Sequence, residues 1–292
     1  MSRKIVCFGE VLWDQFEILS LPGGAPMNVA LNLKQLGLES QMISKVGDDR
    51  PGKELLAYLK DRGVNIDLLA IDPELPTGKV IVNDKDSQNV KYDIIAPVAW
   101  DRIEWSEGMQ DAVDHADAFI FGSLAARDPI SCMTLRKLLK TSTLKIFDIN
   151  LRAPHYDMEE LEELLVHTDI LKVNEEELEI IADHHEFSDE LKIACEKLQE
   201  AYDLKMICVT RGSKGAVLYY DEEFYKHKGF SVEVKDTVGS GDAFLSGFVY
   251  SYLNDGQPED MLAFACGMGA FIATHQGATP TYSIKDIKRV IS

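Results

Sequence analysis

Asp236-Thr237-Val238-Gly239-Ser240-Gly241-Asp242-Ala243-Phe244 joins a strand-like run, Phe230-Ser231-Val232-Glu233-Val234, to the nearly apolar helical stretch Ala243 to Leu253. Two glycines and an acid therefore fall on the first turn of a long helix. Glycine lets the backbone approach a bound anion closely, the free N–H groups of a helix start point at its oxygens, and the helix dipole adds partial positive charge. That is a corner suited to phosphate, and Asp242 faces the same spot. A lone capping acid would account for Asp242. The segment also uses Thr237, Gly239, Ser240 and Gly241, however, and each glycine costs roughly 1 kcal/mol if it enters the helix. A carboxylate beside phosphate is electrostatically unfavourable unless it has work to do, and the chemistry open to it is taking a proton from an attacking hydroxyl. The helix start lowers its pKa and a neighbouring polyphosphate raises it.

Outward from this corner, short apolar strands alternate with amphipathic helices, the pattern of a parallel sheet covered on both faces. Strands are expected at Lys4 to Gly9, Gln41 to Val46, Ala118 to Phe121, Lys145 to Ile149, Ile170 to Val173 and Met206 to Thr210. Helices are expected over Ala25 to Leu36 and Pro51 to Arg62, each ending at a glycine, Gly37 and Gly63, where a left-handed C-cap fits. No repeat, low-complexity tract or long linker divides residues 1–292, which read as one domain. The alternation breaks once. Gly78 to Asn83 and Val90 to Ile95 flank the polar turn Asp84 to Asn89, with Val90, Tyr92 and Ile94 alternating with Lys91 and Asp93. This is an antiparallel hairpin with one apolar face. Such a hairpin has little core of its own, so the face must cover something.

The 292 residues carry 49 acidic and 30 basic side chains, a net charge of -19, which argues against nucleic acid and anionic membranes as partners. An anionic nucleotide has to be held by local fields instead: helix N-termini, backbone donors and bound cations. The five cysteines, Cys7, Cys132, Cys195, Cys208 and Cys266, are scattered, odd in number and without C-x-x-C spacing, so neither a disulfide framework nor a zinc site is indicated. The seven histidines form no ligand cluster. Met1-Ser2-Arg3-Lys4 passes directly into a strand pattern without a cleavable signal, and the most apolar stretch, Met261 to Ala273, is too short to span a bilayer; a cytoplasmic protein is expected. Missing motifs narrow the chemistry further: no G-x-x-x-x-G-K-[ST], no H-E-x-x-H and no G-x-G-x-x-G after a strand.

Asp236 to Phe244 resembles the C-terminal signature of the ribokinase-like, or PfkB, carbohydrate kinases, usually D-T-x-G-A-G-D-x-F. Pro22-Gly23-Gly24-Ala25-Pro26-Met27-Asn28-Val29-Ala30 resembles the family's sugar-side G-G-x-x-x-N-x-A. The two stand more than two hundred residues apart in the family's order, and the resemblance covers essentially the whole chain. It implies a ribokinase-like three-layer α/β/α fold whose central sheet is mainly parallel. It also implies a small antiparallel β lid from segments near 12–22 and 78–100, a part that often mediates a homodimer. ATP with Mg²⁺ follows as phosphoryl donor, Asp242 as general base, and Gly239, Ser240 and Gly241 as the anion hole. Asp14, Gly23, Gly24 and Asn28 are implied to contact the sugar. The residues themselves suit this. Asp14 lies just beyond the first strand, where ligands of open α/β sheets collect. Asn28 offers donor and acceptor, and Gly23-Gly24 lets backbone amides come close.

Asn174-Glu175-Glu176-Glu177 matches the family's N-x-x-E, associated with phosphate and divalent metal, and Mg²⁺ takes few direct protein contacts. Acidic residues suit any helix start, so the segment alone reads equally as the opening of a helix from Glu175 to Ala182. Asp148-Ile149-Asn150-Leu151-Arg152 resembles the D-x-N-x-R of fructokinases and ketodeoxygluconate kinases, which puts Arg152 on the substrate near the transferred phosphate; a surface ion pair is the other account. Thr210-Arg211-Gly212 corresponds to the family's T-x-G against the nucleotide phosphates, and would otherwise be a plain glycine turn. Asp236 with Gly277 to Thr281 resembles a monovalent-cation loop, which implies K⁺ at Asp236, Gly277 and Thr281. The glycine motif, Asp148 to Arg152 and Pro97-Val98-Ala99-Trp100-Asp101 together look more like fructokinases than ribokinases, whose motif reads G-G-K-G-x-N. Met27 and Ser240 depart from the family pattern only in tolerant slots. The expected reaction is ATP-dependent phosphorylation of fructose to fructose 6-phosphate. Ribokinase, 2-keto-3-deoxygluconate kinase and a catalytically silent sugar-binding regulator are the alternatives, and the intact Gly239-Ser240-Gly241-Asp242 speaks against the last.

Overall fold

The alternation resolves, over the described residues 2–83, 91–188 and 190–292 of a computed structural model, into thirteen strands and ten α-helices. The strands are β1 (Lys4–Phe8), β2 (Leu12–Gln15), β3 (Ser20–Gly23), β4 (Glu39–Gly47), β5 (Asn65–Asp72), β6 (Gly78–Asn83), β7 (Lys91–Ile94), β8 (Ala118–Gly122), β9 (Leu144–Asp148), β10 (Ile170–Asn174), β11 (Met206–Thr210), β12 (Ala216–Tyr220) and β13 (Glu223–His227). The helices are α1 (Ala25–Gln35), α2 (Arg50–Asp61), α3 (Glu107–Asp114), α4 (Pro129–Leu138), α5 (Met158–Leu165), α6 (Glu175–His184), α7 (Leu191–Tyr202), α8 (Ser240–Leu253), α9 (Pro258–Ala273) and α10 (Ile284–Ile291).

Nine strands build the main sheet in the order β13-β12-β11-β10-β9-β8-β1-β4-β5. It is parallel from β11 to β5 and antiparallel at the β12 and β13 edge. Side chains of successive strand residues point to opposite faces, and the chain fills both. Val6, Phe8, Phe119, Phe121 and Phe147 enter one core with Leu135 of α4, Leu164 of α5 and Ile181 of α6. Ile5, Cys7, Ile120 and Ile146 enter the other with Leu31 of α1, Leu55 of α2 and Phe248 of α8. On the first face Phe121 and Phe147 stack with centroids 4.9 Å apart. The result is three layers, helices on both faces of one sheet. The expected helix ends hold: Gly37 and Gly63 follow α1 and α2 with φ of 92° and 77°, values at which a Cβ would be strained.

One expected strand is absent. Phe230 to Val234 joins no sheet: the chain turns away from β13 at Gly229, φ 77°. The segment runs as irregular chain to Lys235, whose N–H donates to Ala273 O at 2.8 Å, and Val234 is left exposed.

A second sheet has the order β3-β2-β6-β7, antiparallel within the pairs β3–β2 and β6–β7, with β2 and β6 joined in parallel. The hairpin expected from Gly78 to Ile95 is therefore present in its strands, while its turn, Asp84 to Asn89, lies outside the described residues. What its apolar face covers is now plain. Leu12, Val80, Val82 and Ile94 are buried with Trp100 and Ile103 in the same core as Phe8 and Phe121.

Candidate active site

The carboxyl ends of β1, β9, β10 and β11 and the first turns of α1, α6 and α8 converge on one corner. Helix α8 opens at Gly239, φ 75°, in the left-handed region, and no side chain caps it. A Cβ at Gly239 would run into Ala278, so glycine is needed for both reasons. Of its first N–H groups, that of Ser240 donates to Thr237 O at 3.1 Å, while those of Gly241 and Asp242 lack an intrahelical acceptor and are open to an anion.

Asp242 is not the cap of its own helix. Its Oδ2 accepts the Asn28 Nδ2 hydrogen bond at 2.8 Å, a contact between residues 214 apart in sequence. Asn28 is buried on α1, whose N–H to Gly24 O bond at 2.8 Å seats it one turn into the helix. Desolvation, reinforced by the charge of Asp148, lifts the Asp242 carboxyl to about 6, against the Asn28 donor and the positive charges of Lys172 and Arg152. Asp14, on β2 of the small sheet, rises to about 6 by desolvation and by the charge of Asp242, opposed by Arg152. The Asp14 carboxyl packs directly on Gly23, where any side chain would displace it. The structure thus brings Asp14, Gly23, Asn28 and Asp242 together, with Arg152 inside their common field.

Two charged residues in this corner escaped the sequence reading. Lys172 is buried on β10, bonded to Asp148 Oδ1 at 2.8 Å, with Nζ against Gly241, 3.5 Å from where a Cβ would stand. Burial pulls the ammonium down, yet Asp148, Glu177 and Asp242 together hold it above its ordinary value. The available signal was a lysine inside Ile170-Leu171-Lys172-Val173, an otherwise apolar strand flanked on both sides, where an unpaired charge is very costly. Glu10 follows β1 and is 3% exposed. Its signal was weaker, a single acid beside a strand end.

On the neighbouring strands the parallel register places Asn174 opposite Thr210. Asn174 caps α6: its Oδ1 accepts the Glu177 N–H at 2.8 Å, Glu177 Oε2 accepts the Asn174 N–H at 2.8 Å, and Glu177 Oε1 accepts the Leu151 N–H at 3.0 Å. Thr210 Oγ1 donates to Val173 O at 3.3 Å, and Gly212, φ 55°, opens a short turn beside it. Asp236 stitches two loops, accepting the Val238 N–H and the Gly277 N–H at 3.0 Å each. Thr281 is exposed further along that loop. Among the described residues no group of three or more His, Cys, Asp or Glu side chains forms a metal cage.

The chain belongs to the family described as pfkB family carbohydrate kinase, whose pattern matches residues 2–285. It is 31% identical to the protein of Arabidopsis thaliana named "Probable fructokinase-6, chloroplastic", over 98% of this chain and 81% of that one. Among solved structures, a fructokinase of Xylella fastidiosa with bound ATP superposes with a TM-score of 0.89 at 21% identity, covering 100% of this chain and 98% of that one. A Vibrio cholerae fructokinase double mutant in the fructose-, ADP- and potassium-bound form gives 0.86 at 22% identity, covering 99% and 98%. The fold is that of the ribokinase-like kinases, as the two motifs implied.

Proposed function

We propose that the protein is an ATP-dependent sugar kinase that phosphorylates the primary hydroxyl of fructose to give fructose 6-phosphate. The observation that carries this reading is the Asn28 to Asp242 hydrogen bond of 2.8 Å, because it joins the sugar-side motif to the phosphate-side motif. Asp14, Gly23, Gly24 and Asn28 present the sugar to Asp242. The hydroxyl oxygen then bonds to the γ-phosphorus while the bond from that phosphorus to the β,γ-bridging oxygen breaks. ADP leaves with the electron pair, and the hydroxyl proton goes to Asp242.

Such transfer rests mostly on positioning and charge stabilisation. The N–H groups of Gly239 and Gly241, on either side of the Ser240 N–H that holds Thr237 O, receive the phosphoryl oxygens, Lys172 lies beneath Gly241, and Arg152 adds charge from the β9 side. Thr210 and Gly212 sit where the nucleotide phosphates would pass, next to Asn174. The side-chain oxygens of Asn174 and Glu177 already accept backbone N–H groups, so a divalent ion fits them through water rather than directly. That ion, Mg²⁺ in this reading, neutralises charge on the phosphates. Asp236, Gly277 and Thr281 form the K⁺ loop of the reading. Replacing sodium by potassium at constant ionic strength should raise the rate, and equal rates would remove the K⁺ assignment.

Fructose is supported by the fructokinases among the relatives and by the fructose named for the Vibrio protein. A coupled ADP-release assay across fructose, ribose, ketodeoxygluconate and adenosine tests it. Fructose should give the highest kcat/KM; a better rate with another sugar overturns the substrate, and sugar binding without turnover favours the regulator. The small sheet serves as lid and exposes Ile81 on the face away from Val80 and Val82, a surface suited to a homodimer. No helix among the described residues is long and apolar enough to cross a membrane, and all five cysteines are free and buried, which suits the cytoplasm.

A further inference from the structure

Glu10 is buried in the site and takes no part in the chemistry above. Its Oε1 accepts the Ala25 N–H at 3.2 Å, at the first turn of α1. Its backbone carbonyl packs against Gly24 so closely that any side chain there would collide with it. Glu10 therefore grips, from below, the turn that carries Gly23, Gly24 and Asn28. Its second oxygen, Oε2, is buried and has no protein partner. Glu10 also lines a chamber of about 10 Å³ together with Ser123, after β8, and Asp148, at the end of β9. Ser123 Oγ and Asp148 Oδ2 are likewise buried without a protein partner. The remaining wall is largely apolar, with Pro26, Val29, Phe121 and Leu245.

Three residues around one small chamber thus each hold an unpaired polar atom, and each such atom costs about 1–3 kcal/mol if left unsatisfied. A single water needs roughly 10–15 Å³ and two to four polar partners, which is what the chamber offers. We propose that Glu10 is a positioning residue for the sugar loop, and that one water held by Glu10, Ser123 and Asp148 joins this loop to the Asp148–Lys172 pair beneath Asp242. The positioning role rests on the sugar-kinase reading; the water does not.

The groups facing Glu10 set how the joint responds to pH. Asp242 approaches from α8, Arg152 from the segment after β9, the Ala25 N–H from α1, and Asp148, paired with Lys172, from β9. Burial lifts Glu10 to about 7, with Asp242 pushing the same way and the Ala25 N–H and Arg152 opposing. Below that pH the Glu10 O–H donates to the water, and the water donates to Asp148. Above it the ionised Glu10 holds the Ala25 N–H more strongly, but its burial and the nearby charge of Asp242, which lift its pKa, favour a loosened loop that lets the charge reach solvent.

A high-resolution crystal structure should show density for one water within hydrogen-bond distance of Glu10 Oε2, Ser123 Oγ and Asp148 Oδ2; an empty chamber overturns the proposal. In steady-state assays with fructose at saturating MgATP, the wild-type KM should rise several-fold between pH values of about 6 and about 8.5. Glu10→Gln donates without titrating and should keep KM flat, with kcat changing far less. Glu10→Ala should raise KM about tenfold at every pH, the size of one lost buried hydrogen bond, with its folding checked by thermal unfolding. Parallel KM profiles for wild type and Glu10→Gln overturn the positioning role. Absence of turnover with every sugar would instead sink the kinase reading, and the density would still decide the water.

Discussion

Helices α6 and α8 both begin at the carboxyl end of the main sheet with acids in their first turns, and they use those acids in opposite ways. In α6 the cap is Asn174, Glu177 closes the capping box, and Glu175 pairs with Arg211 at 2.7 Å. Every early acid except Glu176 is thus tied to nearby backbone or charge. In α8 the cap is Gly239, no side chain closes the turn, and Asp242 reaches across to Asn28. A helix start that satisfies itself is a structural feature. One that leaves the Gly241 and Asp242 N–H groups open and sends its acid to another motif is set up for a ligand. The comparison assigns the base to α8 and a supporting role to α6, although the sequence is acidic at both.

The sharpest way to break this contrast is Asp242→Asn. Loss of the general base should lower kcat by about 10²–10⁴-fold, while sugar and nucleotide binding change much less. Single-turnover transfer near the wild-type rate would remove Asp242 as base. The next effect is on pH. With Asp242 lifted to about 6, kcat/KM should fall about tenfold per unit below that pH, because the protonated acid cannot accept the hydroxyl proton. Asn28→Ala removes a donor that lowers this pKa, so its acid limb should move to higher pH; an unmoved limb would mean that the Asn28 contact does not tune the base.

Stability should show the same corner from the other side. Glu10, Asp14 and Asp242 have folded pKa values raised to about 7, 6 and 6, above their ordinary values of 4.5, 3.8 and 3.8. The folded state therefore binds more protons than the unfolded state across that window. Their contribution is full below the ordinary values and is lost as pH rises through the folded ones. The thermal midpoint of the ligand-free protein should decline between pH values of about 4 and about 7, and the double variant Glu10→Gln with Asp242→Asn should flatten that decline. The smallest effect separates the two helix starts. Asn174→Ala should cost about 1 kcal/mol as a lost cap, whereas Asp242→Ala removes no cap and should cost less in thermal unfolding. A larger loss for Asp242→Ala would erase the distinction between α6 and α8.

Much of this molecule can be read from its chain because several requirements are local. Gly239, Gly24, Gly37 and Gly63 sit at positive φ, which no neighbour has to reveal. The apolar periods mark strands and helices through their own spacing, and both kinase motifs are contiguous in the chain. Other features depend on which elements become neighbours. Phe230 to Val234 carries a strand-like pattern, yet forms none, since the chain turns away from the β13 edge at Gly229 and is next held at Lys235 by the end of α9. Lys172 matters because the sheet order sets β9 beside β10 and brings Asp148 within 2.8 Å of it. Glu10 matters because β1, β8 and β9 end side by side and close a chamber over its free oxygen. The sequence by itself determined the layered α/β architecture, the anion-binding helix start and the two motifs, all properties of backbone geometry and short-range pattern. Only the tertiary structure decided that Asp242 meets Asn28 and that Lys172 and Glu10 lie buried around them. The cost of a buried charge is set by its spatial neighbours, which sequence spacing does not contain.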